Sequence, residues 1–159
     1  MKTITFRSTL FVAAAILLLS FPLIMSCHKS SSDTASNLPY TISGSADGNQ
    51  VVPAVSDTAH ATLTGTFNPS SRELQYTSNW MGLSGPPTSA GFYVGATGAS
   101  GTAVGTAWTL SSGIIGTTTG KITLTSDQAN EMLKGSLYYT YATQLNPGGE
   151  VRGQVSATR

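Results

Sequence analysis

The sequence is poor in the residues that most site chemistry needs: it has one cysteine, two histidines and charged residues at only 9% of its 159 positions. With Cys27 alone, no disulfide can form inside the chain, and a disulfide scaffold is excluded. His28 and His60 are too few for a histidine metal cluster in one copy, and neither supports a Ser-His-Asp or Cys-His mechanism. From Cys27 onward six Lys and Arg stand against seven Asp and Glu, with no basic stripe to hold phosphates, so the composition argues against a nucleic-acid partner. Ser, Thr and Gly take the place of charge, and the length suits one domain plus an export segment.

Residues 1–26 begin with Lys2 and Arg7, continue through Leu10-Phe11-Val12-Ala13-Ala14-Ala15-Ile16-Leu17-Leu18-Leu19, and end on a small residue, Ser26. A charged start, a short apolar centre and a small residue before the cut are the pattern of a secretory signal. The centre is short for a membrane span of about 20 residues, and Pro22 interrupts it. Ile24-Met25-Ser26-Cys27 resembles the lipobox of bacterial lipoproteins, which implies that Cys27 carries a diacylglyceryl group with palmitate-type chains and becomes the mature N-terminus. By the same resemblance, His28 rather than aspartate after the cysteine implies the outer membrane, where the host has one. Residues 27–37 lack apolar periodicity and read as a flexible tether to a domain over residues 38–159.

From Tyr40 the chain becomes short β-prone runs broken by Gly, Pro, Asn and Asp, the pattern of a sandwich or barrel. Strands are expected near residues 40–45, 59–67, 73–82, 88–94, 102–110, 120–125, 136–143 and 150–156. In the third, Leu74, Tyr76, Ser78 and Trp80 share one face by the period of two. Thr125-Ser126-Asp127-Gln128 matches a capping box and opens a short connecting helix with Ala129, Met132 and Leu133 as its apolar stripe and Gly135 as its stop. Asn146-Pro147-Gly148-Gly149 is a compact turn whose two glycines are expected to set the register of the last two strands. Beyond it Val151, Gly153 and Val155 alternate with Glu150, Arg152 and Gln154, and Glu150 with Arg152 reads as a structural polar ladder.

Gln50-Val51-Val52-Pro53-Ala54-Val55, Gly82-Leu83-Ser84-Gly85-Pro86, Leu124-Thr125, and Gly135-Ser136-Leu137-Tyr138-Tyr139 continuing to Asn146-Pro147-Gly148-Gly149-Glu150-Val151-Arg152-Gly153-Gln154-Val155 form a set of segments. Together they resemble the CHRD domain, named for chordin and found in many bacterial exported proteins. The resemblance implies an all-β antiparallel sandwich, immunoglobulin-like or superoxide-dismutase-like, and no activity generally established. Members commonly carry histidines able to bind a metal. The corresponding positions here are Gly91, Tyr93 and Ala142, and the usual acidic residue before Val-Pro is Val51.

The other motifs read as structure. Residues 95–101 and Gly120-Lys121 lack the spacing of a phosphate loop, and Ser84 lacks that of a nucleophile elbow. Asp127 and Glu131 read as a solvated like-charge pair, and His60 as a surface or edge residue. Asp47, Asp57 and Glu73 are hard oxygen ligands that leave a weak calcium site open. Tyr93, Tyr138, Tyr139 and Tyr141 form the candidate binding surface, since amphipathic rings offer contact area with a polar handle. Tyr139 and Tyr141 fall on one face and Tyr138 on the other. The expectation is therefore a lipid-anchored binding or structural module of the cell envelope, without catalysis or cofactor, held to the membrane by its lipid and facing an envelope protein or polysaccharide. The competing expectation is an envelope enzyme, either a dismutase-like metalloprotein or a hydrolase.

Overall fold

Alternation of small polar and apolar residues carries the chain into strands with one wet and one dry face. The computed structural model describes residues 37–159. Residues 1–36, including the signal segment, Cys27 and nearly all of the tether, lie outside the described residues. The elements are β1 (Tyr40–Asp47), β2 (His60–Asn68), β3 (Glu73–Met81), β4 (Pro87–Val94), β5 (Thr102–Val104), β6 (Gly116–Thr123), α1 (Ser126–Leu133), β7 (Leu137–Thr143) and β8 (Val151–Thr158). In β2, Ala61, Leu63 and Phe67 are buried while Thr62, Thr64 and Thr66 are exposed, which is the expected period of two.

The fold is all-β and antiparallel with one short helix, as the sequence indicates. The eight strands form one hydrogen-bonded sheet in the order β5-β4-β7-β8-β1-β2-β3-β6. β4 and β3 are five strand spacings apart along it, roughly 24 Å in a flat sheet. Yet Tyr76 of β3 meets Phe92 of β4 edge-on with ring centroids 5.0 Å apart. The sheet therefore curls until its two halves face each other, and the two layers of the expected sandwich are halves of a single sheet.

Where the ends of the curl approach, the chain itself fills the seam. The expected strand over residues 102–110 stops at Val104, because Gly105 has φ +73 and turns the backbone out of the sheet. Trp108 then enters the core, its amide donating to Ala90 O at 2.9 Å and its ring stacking on Tyr76 at 4.8 Å. Thr118 Oγ1 on β6 donates to Thr109 O at 2.8 Å and fixes the same segment from the other side. β6 starts at Gly116 rather than at residue 120, since Thr117, Thr118 and Thr119 pair fully with β3 while offering no apolar signal to the sequence.

The helix has the capping box expected of it, with Thr125 accepting from Gln128 N and Gln128 accepting from Thr125 N. Ala129 and Met132 are buried, but Leu133 is 41% exposed and leaves the expected stripe. Gly135 ends the helix in the left-handed region, at φ +81.

The β7–β8 turn assigns its two glycines different weights. Gly149 has φ +125, and a Cβ there would lie 2.8 Å from Thr140 Oγ1, whereas at Gly148 a Cβ would meet nothing within 4 Å. Gly149→Val is expected to cost about 2–3 kcal/mol, from backbone strain plus the clash, and Gly148→Val much less. Thermal unfolding of the two single variants checks this; equal midpoints would contradict it.

Candidate functional site

The four tyrosines divide between the faces of the sheet. Tyr139 and Tyr141 are fully buried in the core. Tyr139 Oη donates to Ala61 O at 3.0 Å, and Tyr141 Oη donates to Ser78 Oγ at 2.8 Å. Burial pushes both phenols well above the ordinary tyrosine range. They hold the curl closed and leave the candidate surface, which contracts to Tyr93 and Tyr138. These two are register partners on β4 and β7, stacked on the outer face with centroids 5.3 Å apart. Their only partly polar rings sit where Ser89, Thr140 and Ala142 also point.

Beneath Tyr138 lies a residue that the sequence reading left in a ladder. The Arg152 guanidinium sits 3.7 Å from the Tyr138 ring centroid, and the residue is only 4% exposed. Its Nη1 donates to Ala99 O at 2.7 Å, and its Nη2 donates to Ala96 O at 2.8 Å and Gln154 Oε1 at 3.2 Å. The glycine-rich segment 95–101 is thus no phosphate loop but a flap pinned over β7 and β8 by Arg152, by Gln154 and by Gly101 N donating to Tyr138 Oη at 3.0 Å. No ion pair to Arg152 occurs among the described residues. Its register partner Asp47 spends its carboxylate on Asn49 N, Gln50 N and Gln50 Nε2. Burial pulls the guanidinium below its ordinary pKa, while the Tyr138 phenol opposes this. The result is a cation at the edge of a hollow of about 210 Å³ lined by Tyr93, Ser89, Ser100, Tyr138 and Thr140 and rimmed by Val52 and Pro147.

Glu150 does not pair with Arg152. It is completely buried, and its carboxylate accepts from Ser84 N at 2.6 Å, Ser84 Oγ at 2.5 Å, Thr143 Oγ1 at 2.5 Å and Asn146 Nδ2 at 3.1 Å. Burial raises its pKa, but the donors from Ser84, Thr143 and Asn146 outweigh that and hold it below the ordinary value. The expected polar ladder is instead two separate staples, Glu150 to the β3–β4 connection and Arg152 to the flap.

The remaining candidates do not converge. His60 is exposed, with Nδ1 3.3 Å from Thr58 O. Asp57 accepts from Ala59 N, while Glu73 stands at the far end of the sheet with Gln75 and Lys121, away from Asp47. Glu131 pairs with Lys134 at 2.9 Å. Tyr93 and Ala142 line the hollow and Gly91 lies between Ser89 and Tyr93 on β4, so the positions resembling the family's histidines do share one face. Their side chains do not fit a transition metal: hydroxyls and a phenol beside a guanidinium are a poor donor set. No cluster of three His, Cys, Asp or Glu occurs among the described residues.

The sequence model of the CHRD domain matches residues 42–155. The chain belongs to the CHRD domain family. No curated protein and no solved structure matches it. The CHRD domain is a small binding or structural domain and not a known enzyme family. Its motifs gain a physical meaning here. The middle segment supplies Ser84, the closing segment supplies Glu150 to bind it and Asn146 to donate to Glu150, and Gly153 lets β8 approach β1, where a Cβ would lie 2.5 Å from Ser45 O. The Ser84–Glu150 contact joins residues 66 apart, so no local signal marks it.

Glu150→Gln is expected to destabilise the CHRD domain by about 2–4 kcal/mol, because Asn146 and two hydroxyls lose a charged acceptor. A carboxyl with a depressed folded pKa contributes stability above its unfolded pKa and loses it as pH falls through the folded value. The gap in melting temperature between wild type and Glu150→Gln should therefore be widest near neutrality and narrow in acid. A gap independent of pH would contradict the charged state.

Proposed function

We propose that this CHRD-domain protein is a lipid-anchored binding module of the cell envelope, displayed on its tether and engaging an envelope polymer through the outer face of β4, β7 and β8. The observation that carries the reading is the hollow in which Tyr93 and Tyr138 stack beside Arg152. Tyr93, Tyr138 and Arg152 stand on the strands β4, β7 and β8, so these three groups are held in place without a ligand. The hollow opens toward Pro147 and Val52, at the end of the sheet where β1 finishes, while the chain enters at the opposite end, where Ser70 Oγ donates to Asn37 Oδ1.

The dismutase or hydrolase alternative has weaker support. Ser84, the hydroxyl held by a carboxylate, faces Glu150 and Thr143 with no imidazole among its partners. A nucleophile needs a base in hydrogen-bond reach, itself oriented by a third group.

Membrane fractionation of wild type and Cys27→Ser, with mass spectrometry of the mature N-terminus and sedimentation of each with isolated envelope polysaccharide and envelope protein, tests the reading. Wild type should begin at a lipid-bearing Cys27 and stay with the membrane. The variant should be soluble, keep its melting temperature and still bind. An unmodified cysteine inside an intact chain contradicts the anchor, and failure to bind either envelope fraction contradicts the module.

A further inference from the structure

We infer that the hollow takes an acidic sugar, one uronate ring of an envelope polysaccharide, with Arg152 supplying the charge and Tyr93 the platform for the ring. This rests on the binding-module reading and names its ligand class.

Three properties select that chemistry. The first is charge. Arg152 is nearly buried, lines the hollow, and among the described residues donates to carbonyl and amide oxygens that carry no compensating negative charge. A guanidinium in a low-dielectric setting without a counter-ion favours an anion, and a planar carboxylate matches its geometry. Asp47 is committed to its turn and Glu150 to Ser84, Thr143 and Asn146, so the nearby carboxylates in sequence and register are engaged elsewhere.

The second is lining. Ser89, Ser100 and the Tyr93 phenol line the hollow with hydroxyls able to donate and accept, and Thr140, whose hydroxyl donates to Val151 O at 2.8 Å, adds an acceptor. A ligand bearing several hydroxyls is matched by such a wall, whereas an apolar peptide side chain is not. Tyr93, backed by the parallel Tyr138 ring, presents the partly exposed aromatic surface on which the C–H face of a sugar packs.

The third is size. A volume of about 210 Å³ is smaller than the roughly 300–1,000 Å³ that encloses a drug-sized ligand, so the hollow admits one ring and not a folded chain. Its open side lets the polymer continue across the sheet.

The test is calorimetric titration of the full-length protein, purified in detergent, with a galacturonate tetramer, the neutral galactose tetramer, and acetate. The uronate should bind at least about tenfold more tightly than either, a difference of about 1.4 kcal/mol, and should weaken as ionic strength rises. Arg152→Gln should abolish the preference for the acid. Because Arg152 also pins the flap, Ser89→Leu serves as the second variant: Ser89 is an exposed residue lining the hollow, so the larger side chain occupies it, and it should abolish uronate binding at an unchanged melting temperature. Equal binding of the neutral tetramer overturns the acidic ligand while leaving the module standing. Binding as tight by acetate overturns the sugar, and uronate binding that survives Ser89→Leu overturns the site.

Discussion

A single buried carboxylate organises the end of the molecule that bears the family motifs. Glu150 accepts from a backbone amide and two hydroxyls of Ser84 and Thr143, and from the Asn146 amide. Desolvating a carboxylate is costly, and only a full set of donors offsets it. That requirement explains why Ser84, Thr143 and Asn146 occur together with Glu150: each removes part of the same cost. The β3–β4 connection and the β7–β8 turn are consequently one polar assembly at the end of the β4–β7 ladder, where Pro87 stands opposite Thr143.

The core enforces the second constraint. One sheet of eight strands can bury a face only by curling, and the aromatic residues Tyr76, Trp80, Phe92, Trp108, Tyr139 and Tyr141 fill the space between its halves. Trp108 arrives from outside the sheet to close the seam, which removes the need for β5 and β6 to pair. The outer face is then left free over β4, β7 and β8, and the flap of residues 95–101 and Arg152 shape it. Core and hollow are the two sides of β7: Tyr139 and Tyr141 point one way, Tyr138 and Thr140 the other.

The alternation of Leu74, Ser78 and Trp80, the capping box at Thr125 and the separation of Tyr138 from Tyr139 were all legible in the sequence, because each depends on neighbours within a few residues. The early start of β6 was not, since Thr117 to Thr119 pair through backbone and carry no hydrophobic period. Nor was the exit of the chain at Gly105, where a left-handed backbone conformation decides the path. The roles of Arg152 and Glu150 were hidden for a different reason. Adjacent on one face of a strand, they suggest a pair, and only the loops that fold over them from residues 84 and 96–99 reveal two separate partners. The hollow itself is lined from strands and from loops that meet only in the fold, Ser89 and Ala142 with Ser100 and Pro147, so no local pattern marks it.

The most direct test of the carboxylate's central place is amide hydrogen exchange at Ser84, measured residue by residue by NMR. Ser84 lies in a connection between strands, yet its N–H is bound by Glu150, so exchange should require unfolding of the domain and be as slow as that of Tyr139 in β7. Exchange as fast as that of Ser70, in the exposed β2–β3 turn, would contradict the account.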